Sequence, residues 1–511
     1  MRKNTFSKIK SINELSEIVK RLKKKGKRII LCHGVFDLLH PGHIKHFEAA
    51  KKKGDVLVVT ITKDEYVNKG PGRPVFDQNL RAESIAAIEC VDFVALNEWP
   101  TAVETIRKLK PHVYVKGSDY AQKENDVTKK IYEEEKAIKA VGGDLCFTDE
   151  VSFSSTALIN TFFSPYPDET KEFLQKFKKR HSSEAIIGTL KKIEQLKILV
   201  IGDIIIDEYV YCLGIGKPQK DNILATKFLS KETFAGGALA AANHIAGFCK
   251  DVTLMSCIGK KNDYTAFIKS HLKPNVKTKF YVREDVGTVV KRRFVDPNFL
   301  TKLFEICYLE ESENLPHGLE RKIGSYLDSQ LKKFDVVVVA DFGHGLITPL
   351  IIKVLRKKAK FLAVNTQTNS ANLGFNLITK FQHADYICID EPELRLACHD
   401  KFSDIRKLTY AISKKLKCDK IIITQGHKGS LVYSKEEGFK DIPIFSEKII
   451  DRIGAGDAYF SITSPCVYKK VPMEIVGFIG NAVGAIKVLI VGNRSSVEPI
   501  PLIKYITTLL R

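Results

Sequence analysis

The sequence contains no hydrophobic run long enough to cross a membrane, because its longest apolar stretches, such as KILVIG and DVVVVA, are only strand-length. Its first ten residues, MRKNTFSKIK, lack the apolar segment of a secretory signal peptide. The 11 cysteines are scattered between Cys32 and Cys466 without a C-x-x-C pair, so neither a zinc site nor a disulfide framework is expected. These absences predict a soluble, cytoplasmic protein without a membrane partner.

Acidic residues are in the minority. Asp and Glu number 60 against 81 Lys and Arg, which gives a formal charge of +21. The basic residues are spread along the chain rather than gathered in an arm, and this favours a lysine-rich solvated surface over a nucleic-acid-binding one. Phosphate-bearing substrates are a third explanation of the charge. We therefore expect no nucleic-acid partner.

The chain has 511 residues, 44% of them hydrophobic, which is enough for two or three domains with sizeable cores. Short apolar, β-branched runs alternate with helical patterns in two blocks, and this predicts α/β domains built on parallel sheets. We expect a Rossmann-like, doubly wound domain over residues 1–160, a basic helical linker over 161–195, and a larger α/β domain over 196–511. Strand-rich stretches in the larger domain, 208–235 and 280–310, predict a small β lid.

An H-x-G-H motif follows the first predicted strand and opens a helix. It consists of His40, Gly42 and His43 in GVFDLLHPGH. Ligands of doubly wound sheets bind at the carboxyl ends of strands, and a helix N-terminus there offers free N–H groups to phosphate. Two histidines separated by proline and glycine can approach a triphosphate and stabilise a departing pyrophosphate. The alternative is that both histidines cap the helix or belong to the core.

A second small-residue turn opens a helix near the C-terminus. In DRIGAGDAYF, the turn Gly454–Gly456 precedes Asp457. Backbone N–H groups of such a turn form an anion hole for a transferred phosphoryl group, and a carboxylate beside it can accept a hydroxyl proton. Taken alone, the four letters are equally compatible with an ordinary helix cap.

The N-terminal block resembles the nucleotidylyltransferase family that includes the cytidylyltransferases and the adenylyltransferase domain of bacterial ADP-heptose synthase. The resemblance runs from about residue 12 to 160 and rests on GVFDLLHPGH, PGRPVFD, KGSDY and SFSSTALI. It implies that His40 and His43 act on the nucleotide triphosphate. It also implies that Lys69 and Arg73 contact phosphates, and the alternative is that these two residues are part of the solvated surface. The residues that the resemblance places around the nucleotide are Gly34, Phe36, Lys69, Arg73, Lys116, Asp119, Ser155 and Thr156.

The C-terminal block, from about residue 197 to 511, resembles the ribokinase-like (PfkB) carbohydrate kinases in GDIIIDEY, FAGGALAAANHIA, ITQGHKG and DRIGAGDAYF. The resemblance implies that Asp457 is the catalytic base. The residues that it places at the nucleotide are Thr424, Gly426, Gly429, Gly454, Ala455, Gly456 and Asn481. Those that it places at the sugar substrate are Asp203, Asp207, Gly236, Gly237, Lys291 and Arg293.

Two of these implied sites have structural alternatives. Asp390 and Glu393 lie three residues apart at a helix start, where they share a face that suits a water-mediated Mg²⁺ ion, or where they complement the helix dipole. Lys291 and Arg293 are implied to hold a phosphate already on the sugar, and the alternative is a strand with charges facing solvent.

The block departs from the heptose kinases on the sugar side. Ala240 stands where those kinases have Asn, His344 where Lys is usual, and the triplet 365–367 reads NTQ instead of D-P-K. The sugar is therefore left open, while the machinery for phosphoryl transfer is kept.

Together the two resemblances imply a bifunctional sugar kinase and sugar-1-phosphate nucleotidylyltransferase, with the domain order of ADP-heptose synthase reversed. Such an enzyme would use ATP or CTP, Mg²⁺ and a sugar or sugar phosphate to make an NDP-sugar for surface polysaccharide, and would form a homodimer through the kinase lid. The alternatives are a cytidylyltransferase–kinase pair acting on another polyol or sugar acid, and a degenerate module that only binds a sugar phosphate.

Overall fold

The computed structural model describes residues 5–117, 130–148, 160, 166–310 and 315–511. Two compact units divide the chain, and the second begins at Tyr166. The last residues of the chain are shared, because 507–509 and Arg511 group with the first unit. No helix among the described residues has both the length and the apolar character that a membrane span requires.

The first unit is a parallel sheet with helices on both faces. Its five strands lie in the order β3-β2-β1-β4-β5, so the strand order reverses beside β1 and the carboxyl ends of β1 and β4 flank the switch point where such sheets bind ligands. The strands are β1 Ile29–Gly34, β2 Val56–Thr62, β3 Phe93–Asn97, β4 Val113–Gly117 and β5 Asp144–Thr148. The helices are α1 Ile12–Lys24, α2 Pro41–Lys51, α3 Gln78–Ala86, α4 Val103–Leu109 and α5 Lys130–Ala140.

The second unit contains a nine-stranded sheet and a separate four-stranded sheet. The strands are β6 Lys197–Gly202, β7 Ile204–Gly216, β8 Ala225–Gly237, β9 Asp251–Gly259, β10 Val276–Arg283, β11 Val289–Asp296, β12 Thr301–Tyr308, β13 Val336–Asp341, β14 Leu362–Thr366, β15 Tyr386–Asp390, β16 Lys420–Thr424, β17 Ser430–Ser434 and β18 Gly438–Ile442. The large sheet has the order β10-β9-β6-β13-β14-β15-β16-β17-β18 and is parallel except at β17 and β18.

Helices cover this large sheet, and a core of buried aliphatic side chains lies beneath them. The helices are α6 Asp168–Lys178, α7 Ser183–Lys192, α8 Ala238–Ala246, α9 Thr265–His271, α10 His317–Gln330, α11 Pro349–Lys358, α12 Glu391–Cys398, α13 Ile405–Leu416, α14 Ala455–Tyr468, α15 Met473–Lys487 and α16 Pro499–Leu510. The predicted fold class, two α/β domains, is confirmed.

The smaller sheet, β12-β11-β7-β8, is the lid that the strand-rich stretches predict. Its two longest strands, β7 and β8, pair antiparallel over nearly their whole length. Apolar side chains remain exposed on this sheet: Leu213, Ile215, Phe228, Phe304 and Ile306.

The segment expected to be a linker, 161–195, belongs to the second unit from Tyr166 onward. The ring of Phe177 on α6 is buried and stacks on Phe478 of α15, with ring centroids 4.5 Å apart. Just after α6, the Arg180 guanidinium donates two hydrogen bonds to the Glu474 carboxylate, of 2.7 and 2.8 Å. A bidentate pair beside a buried aromatic stack makes α6 a packed element of this unit.

We expect the substitution Phe177→Ala to lower the free energy of unfolding of the second unit by about 3–5 kcal/mol, because it leaves a cavity in a closed aromatic stack. Chemical denaturation of the full chain measures this change. Phe402→Ala is the matched control, since Phe402 is 89% exposed and should tolerate truncation. Equal effects of the two substitutions would contradict the packing role of α6.

Candidate active sites

The first candidate site lies at the N-terminus of α2. His40 is the N-cap residue, and Pro41 fixes the first helical position without needing an acceptor for an N–H group. The rings of His40 and His43 stack with centroids 3.9 Å apart. The Nδ1 atom of His43 is buried and has no hydrogen-bond partner among the described residues. The structure thus brings the two predicted histidines together and leaves His43 a polar atom for a ligand.

The pKa values of both histidines are lowered. Burial, together with the positive potential of His40, His46 and Lys69, lowers the pKa of His43 to about 3. Burial also lowers the pKa of His40. A neutral imidazole carries one N–H donor and one acceptor, so each ring can donate to a phosphate oxygen, and an arriving triphosphate would favour the protonated form.

Gly34 and Phe36 shape the floor beneath this histidine pair. A Cβ atom on Gly34 would lie 2.8 Å from Cζ of Phe36, so only glycine leaves room for that ring. Phe36 adopts a left-handed backbone, with φ of 50°, and its ring meets His43 edge-on with centroids 5.3 Å apart. The sequence implied nucleotide contact for both residues, and the structure gives them this packing role.

Two of the cations expected at the phosphates are held by partners inside the protein. The Arg73 side chain is 1% exposed, with Nη1 3.5 Å from Asp37 Oδ2 and Nη2 donating to Asn160 Oδ1 at 2.8 Å. The Lys116 ammonium lies 3.1 Å from the Glu134 carboxylate, and both residues are buried. Each of these cations therefore has an acidic partner within the protein, and their predicted contact with a nucleotide stays a prediction.

Lys69 is partly buried and close enough to His43 to affect its pKa, so it remains beside the predicted site. The other predicted nucleotide-binding residues of this unit, Asp119, Ser155 and Thr156, lie outside the described residues.

Sequence reasoning missed a third histidine of this site. His46 lies one helical turn after His43, and its Nδ1 atom is 2.9 Å from the Thr148 hydroxyl at the end of β5. Burial and the charge of Lys116 lower its pKa to about 4. His43 and His46 lie three residues apart, so a helix places them on one face. This spacing could have indicated that His46 belongs to the same site.

The second candidate site is built on the turn before α14. Gly454 has φ of +75°, a backbone conformation that favours glycine. A Cβ atom there would also lie 2.6 Å from Asn493 Oδ1, so the backbone angle and the available space both require glycine. A Cβ atom on Gly456 would meet nothing within 4 Å. The N–H group of Ala455 donates to the backbone oxygen of Arg452 at 3.3 Å. The N–H groups that follow it in the first turn of α14 have no acceptor within the helix, so they suit an anion.

Asp457 is the second residue after Ala455 and is only 8% exposed. Its Oδ1 atom accepts a hydrogen bond of 2.5 Å from the Gln367 side chain. Burial raises the pKa of Asp457 to about 7, against the lowering effect of Lys487 and with a further increase from Asp207. A carboxyl group with a pKa near neutrality is suited to accept a hydroxyl proton at physiological pH.

The carboxylates expected at the sugar are largely engaged within the protein. Asp207 pairs with Arg293 at 2.6 Å, and Arg293 also pairs with Glu305 at 2.7 Å. Asp203 accepts hydrogen bonds from the backbone N–H groups of Phe342 and His344, at 3.1 and 3.2 Å. Arg293 is therefore the counter-ion of two carboxylates, and its predicted contact with a substrate phosphate stays a prediction.

The two glycines at the end of β8 make this arrangement possible. A Cβ atom on Gly236 would lie 2.1 Å from the Asp207 carboxylate, and one on Gly237 would lie 2.5 Å from the backbone oxygen of Asp203. Gly237 also has φ of +58°. Both glycines therefore allow close approach of the protein's own chain, whether or not a sugar touches them.

Lys291 differs from Arg293. It is buried, and among the described residues no hydrogen bond or ion pair engages its ammonium group. Its charge acts on both Asp457 and His344, and after burial it is the largest cause that lowers the pKa of His344, to about 4. The buried Nε2 atom of His344 has no hydrogen-bond partner in the described chain. An anionic, hydroxylated ligand would satisfy both groups.

A cavity of 730 Å³ opens beside these groups. Asp203, Thr288 and His344 line it, together with the backbone of Gly343 and Gly345. Asp457 is not part of its lining.

The predicted metal pair forms a capping box. The Asp390 carboxylate accepts from the Glu393 N–H at 2.8 Å, and the Glu393 carboxylate accepts from the N–H groups of Asp390 and Thr368, at 2.9 and 3.0 Å. No cluster of three or more metal-ligating side chains occurs in the described part of the chain. The two side chains thus cap the helix, and the water-mediated Mg²⁺ site predicted for them stays a prediction.

Asn481 is held by hydrogen bonds within the protein. Its amide donates to the backbone oxygens of Ile442 and Pro443 at 2.8 Å each, and its oxygen accepts from Ser430 at 3.0 Å. The side chain ties β17 to the end of β18, and its predicted place at the nucleotide stays a prediction.

The predicted nucleotide loop follows β16, which ends at Thr424. Gly426 and Gly429 both have positive φ angles, of 58° and 94°. A Cβ atom on Gly429 would lie 2.0 Å from the Ile442 oxygen, whereas Gly426 faces open space. The loop is thus a tight glycine turn whose tip remains accessible.

Sequence reasoning missed the buried cation of this site. Lys487, the last residue of α15, is fully buried, and its ammonium group donates to the backbone oxygens of Ile453 and Gly492 at 2.8 and 2.6 Å. Nothing in the local sequence AIKVLIVG marks this lysine as internal, since a lysine at a helix end is usually solvated.

Comparison with known proteins identifies two domains in the chain. The model of the pfkB family of carbohydrate kinases matches residues 195–500, and a cytidylyltransferase-like model matches residues 31–161. The chain belongs to the pfkB family of carbohydrate kinases, with a cytidylyltransferase-like domain in front. Both resemblances are confirmed.

Among curated relatives, the bifunctional protein HldE of Trichlorobacter lovleyi is 42% identical over 120 residues, which are 23% of this chain and 24% of that protein. The bifunctional protein HldE of Aliarcobacter butzleri is 41% identical over 142 residues, or 27% and 30% of the two chains. The chain therefore spans between a quarter and a third of the length of these relatives.

Among solved structures, phosphofructokinase-2 from Escherichia coli in complex with potassium superimposes with a TM-score of 0.51 at 14% identity, over 62% of this chain and 100% of that one. The same enzyme with fructose-6-phosphate gives a TM-score of 0.50 at 13% identity, with the same coverage. This likeness shows the fold of the second unit.

The raised pKa of Asp457 predicts a pH-dependent cost in stability. Because the folded pKa lies near 7 and the unfolded value near ~3.9, the folded state holds the proton more tightly and loses stability as the pH rises through this window. The substitution Asp457→Asn removes that loss, so its free energy of unfolding relative to wild type should rise between pH 4 and 7 and then level off.

Urea unfolding at several pH values measures this difference, and the exposed Asp221→Asn serves as the control that should show none. A difference that does not change with pH would mean that Asp457 titrates normally in the folded protein.

Proposed function

We propose that the chain is a bifunctional sugar kinase and sugar-1-phosphate nucleotidylyltransferase. The observation that carries the proposal is the buried Asp457 carboxylate, which stands with a pKa near 7 at the start of a glycine-turned helix in a pfkB-family domain. An intact base at an open anion turn supports catalysis over a degenerate binding module, because a module that only binds has no need of either.

In the kinase domain, Asp457 accepts the proton of the attacking sugar hydroxyl, while the first N–H groups of α14 stabilise the charge on the transferred phosphoryl group. Gln367 orients the carboxylate through their hydrogen bond. Lys291 and His344 face the sugar side, and their lack of described partners supports a substrate that is itself anionic, such as a sugar phosphate.

A Mg²⁺ ion would enter with the nucleotide. The capping-box geometry leaves Asp390 as the residue to hold it through water, which suits an ion that keeps several of its waters. The ion would neutralise charge on the nucleotide phosphates.

In the transferase domain, His40 and His43 donate hydrogen bonds to the triphosphate of ATP or CTP and stabilise the departing pyrophosphate. The attacking group would be the phosphate of a sugar 1-phosphate, and the product an NDP-sugar of the ADP-heptose type, used for surface polysaccharide. The names of the curated relatives, bifunctional protein HldE, support two coupled activities.

Two further parts of the proposal concern the setting. Eleven free cysteines and the use of ATP support work in the cytoplasm, where thiols stay reduced. The exposed apolar side chains of the lid, represented by Ile215 and Phe228, support a homodimer formed through the four-stranded sheet.

Product analysis tests the whole proposal. The chain is incubated with ATP or CTP and a panel of sugars, sugar phosphates and sugar 1-phosphates, and the products are separated by mass. Phosphorylated sugar and NDP-sugar with pyrophosphate are expected, whereas nucleotide left unchanged by every acceptor would refute the proposal.

We expect the substitution His43→Ala to slow pyrophosphate release by about 10²–10³-fold, because it removes one donor that stabilises the leaving group. Phosphorylation of sugar by the same preparation should not change. The exposed His317→Ala is the control. An unchanged rate of nucleotidyl transfer would return His43 to the role of a helix-start residue.

We expect the substitution Asp457→Asn to affect sugar phosphorylation and not pyrophosphate release, the reverse of the effect of His43→Ala. It keeps the shape of the side chain but removes the base, so sugar phosphorylation should fall by about 10²–10⁴-fold while pyrophosphate release persists. In the wild-type enzyme, kcat/KM for phosphorylation should fall as the pH drops below about 7, since Asp457 is then protonated. Wild-type phosphorylation by the variant would remove the base from the mechanism.

A further inference from the structure

The backbone around the anion turn is held by a cation that belongs to the chain itself. The ammonium group of Lys487 donates to Ile453 O, directly before the turn glycine Gly454, and to Gly492 O. These two oxygens come from separate loops, before α14 and after α15, so the lysine joins them at a point that no water reaches.

The surroundings of this ammonium group are acidic. Its charge interacts with Asp451, Asp457 and Asp207, all of which favour its protonated form. Asp451 is itself tied to the same two loops, because it accepts from the N–H groups of Ile453 and Gly492, at 3.1 and 2.8 Å. Backbone carbonyl oxygens with nearby carboxylates are also the ligands that a dehydrated monovalent metal ion prefers.

Lys487 does not form a direct ion pair with any of the three carboxylates. Its hydrogen bonds go to backbone carbonyls, so it fixes the backbone that presents the anion turn while its charge acts on Asp457 through space. We propose that Lys487 is a positioning residue that serves as a tethered monovalent cation, so that kinase turnover by this chain does not require added potassium.

The inference rests on the proposed kinase function, and its first test uses the wild-type chain. Phosphorylation is measured in potassium chloride and in choline chloride at equal ionic strength. Equal rates are expected. A stimulation by potassium of tenfold or more would overturn the proposal, because the site would then depend on an external ion.

Two substitutions separate charge from volume. Lys487→Ala empties the space between the two carbonyls, whereas Lys487→Met fills it with an apolar chain of similar length. Both should reduce turnover by about 10²–10³-fold, the usual loss for one stabilising charge. Potassium or ammonium ions should restore turnover of Lys487→Ala but not of Lys487→Met, since only the first leaves room for an ion. The exposed Lys353→Ala should behave as wild type under every condition.

Thermal unfolding provides a readout that needs no activity. An ion that binds only the folded state raises the unfolding midpoint, so potassium should raise that of Lys487→Ala relative to choline and leave the wild type and Lys487→Met unchanged. If Lys487→Ala does not fold in choline, potassium in the refolding buffer should recover it. The proposal would be overturned if neither potassium nor ammonium restored turnover of Lys487→Ala and neither ion raised its unfolding midpoint or recovered its folding. If wild-type chain phosphorylates no sugar, the proposed function fails, and the midpoints still decide whether the site takes a cation.

Discussion

A carboxylate that acts as a base at neutral pH must be shielded from water without being neutralised by a direct ion pair, and the second unit is arranged around that constraint. Asp457 is buried, which raises its pKa, yet it lies at a helix N-terminus, which stabilises its charged form. The nearest buried cation, Lys487, donates to backbone oxygens instead of the carboxylate. Arg293 is bound by Asp207 and Glu305. A direct salt bridge to either cation would hold the pKa of Asp457 well below 7.

Burial disfavours the charged form of the side chains in both candidate sites, although one site contains basic histidines and the other an acidic carboxyl group. Burial lowers the pKa of His40 and His43, and it raises that of Asp457. In each case the less charged form is favoured before a nucleotide binds. Under the proposed function, a polyanionic nucleotide would meet donors at a helix N-terminus instead of ion pairs that it would have to break, so little reorganisation would be needed during the reaction.

Whether a contact of these sites can be predicted from the sequence depends on how far apart its two residues lie along the chain. His40 and His43, or the glycine turn and Asp457, lie within a few residues, so local backbone geometry fixes their relation and the sequence predicts it. Arg293 and Lys116 pair with Asp207 and Glu134, which come from distant strands and helices, so the sequence alone does not predict these ion pairs. Asp390 and Glu393 lie only three residues apart, and the capping box that they form is a contact of the local kind.

The departures on the sugar side follow from the same electrostatics. Positions 344 and 367, where the heptose-kinase pattern has lysines, carry His344 and Gln367 here. The pKa of His344 is lowered to about 4, so it is neutral, and Gln367 is a neutral donor to Asp457. The chain thus lacks both lysines that the heptose-kinase pattern has at these two positions. The buried charges that remain near it are Lys291 and Lys487, and neither bonds to its carboxylate. The charges of Lys291 and Lys487 act on Asp457 through space, which leaves its carboxylate without a direct ion pair.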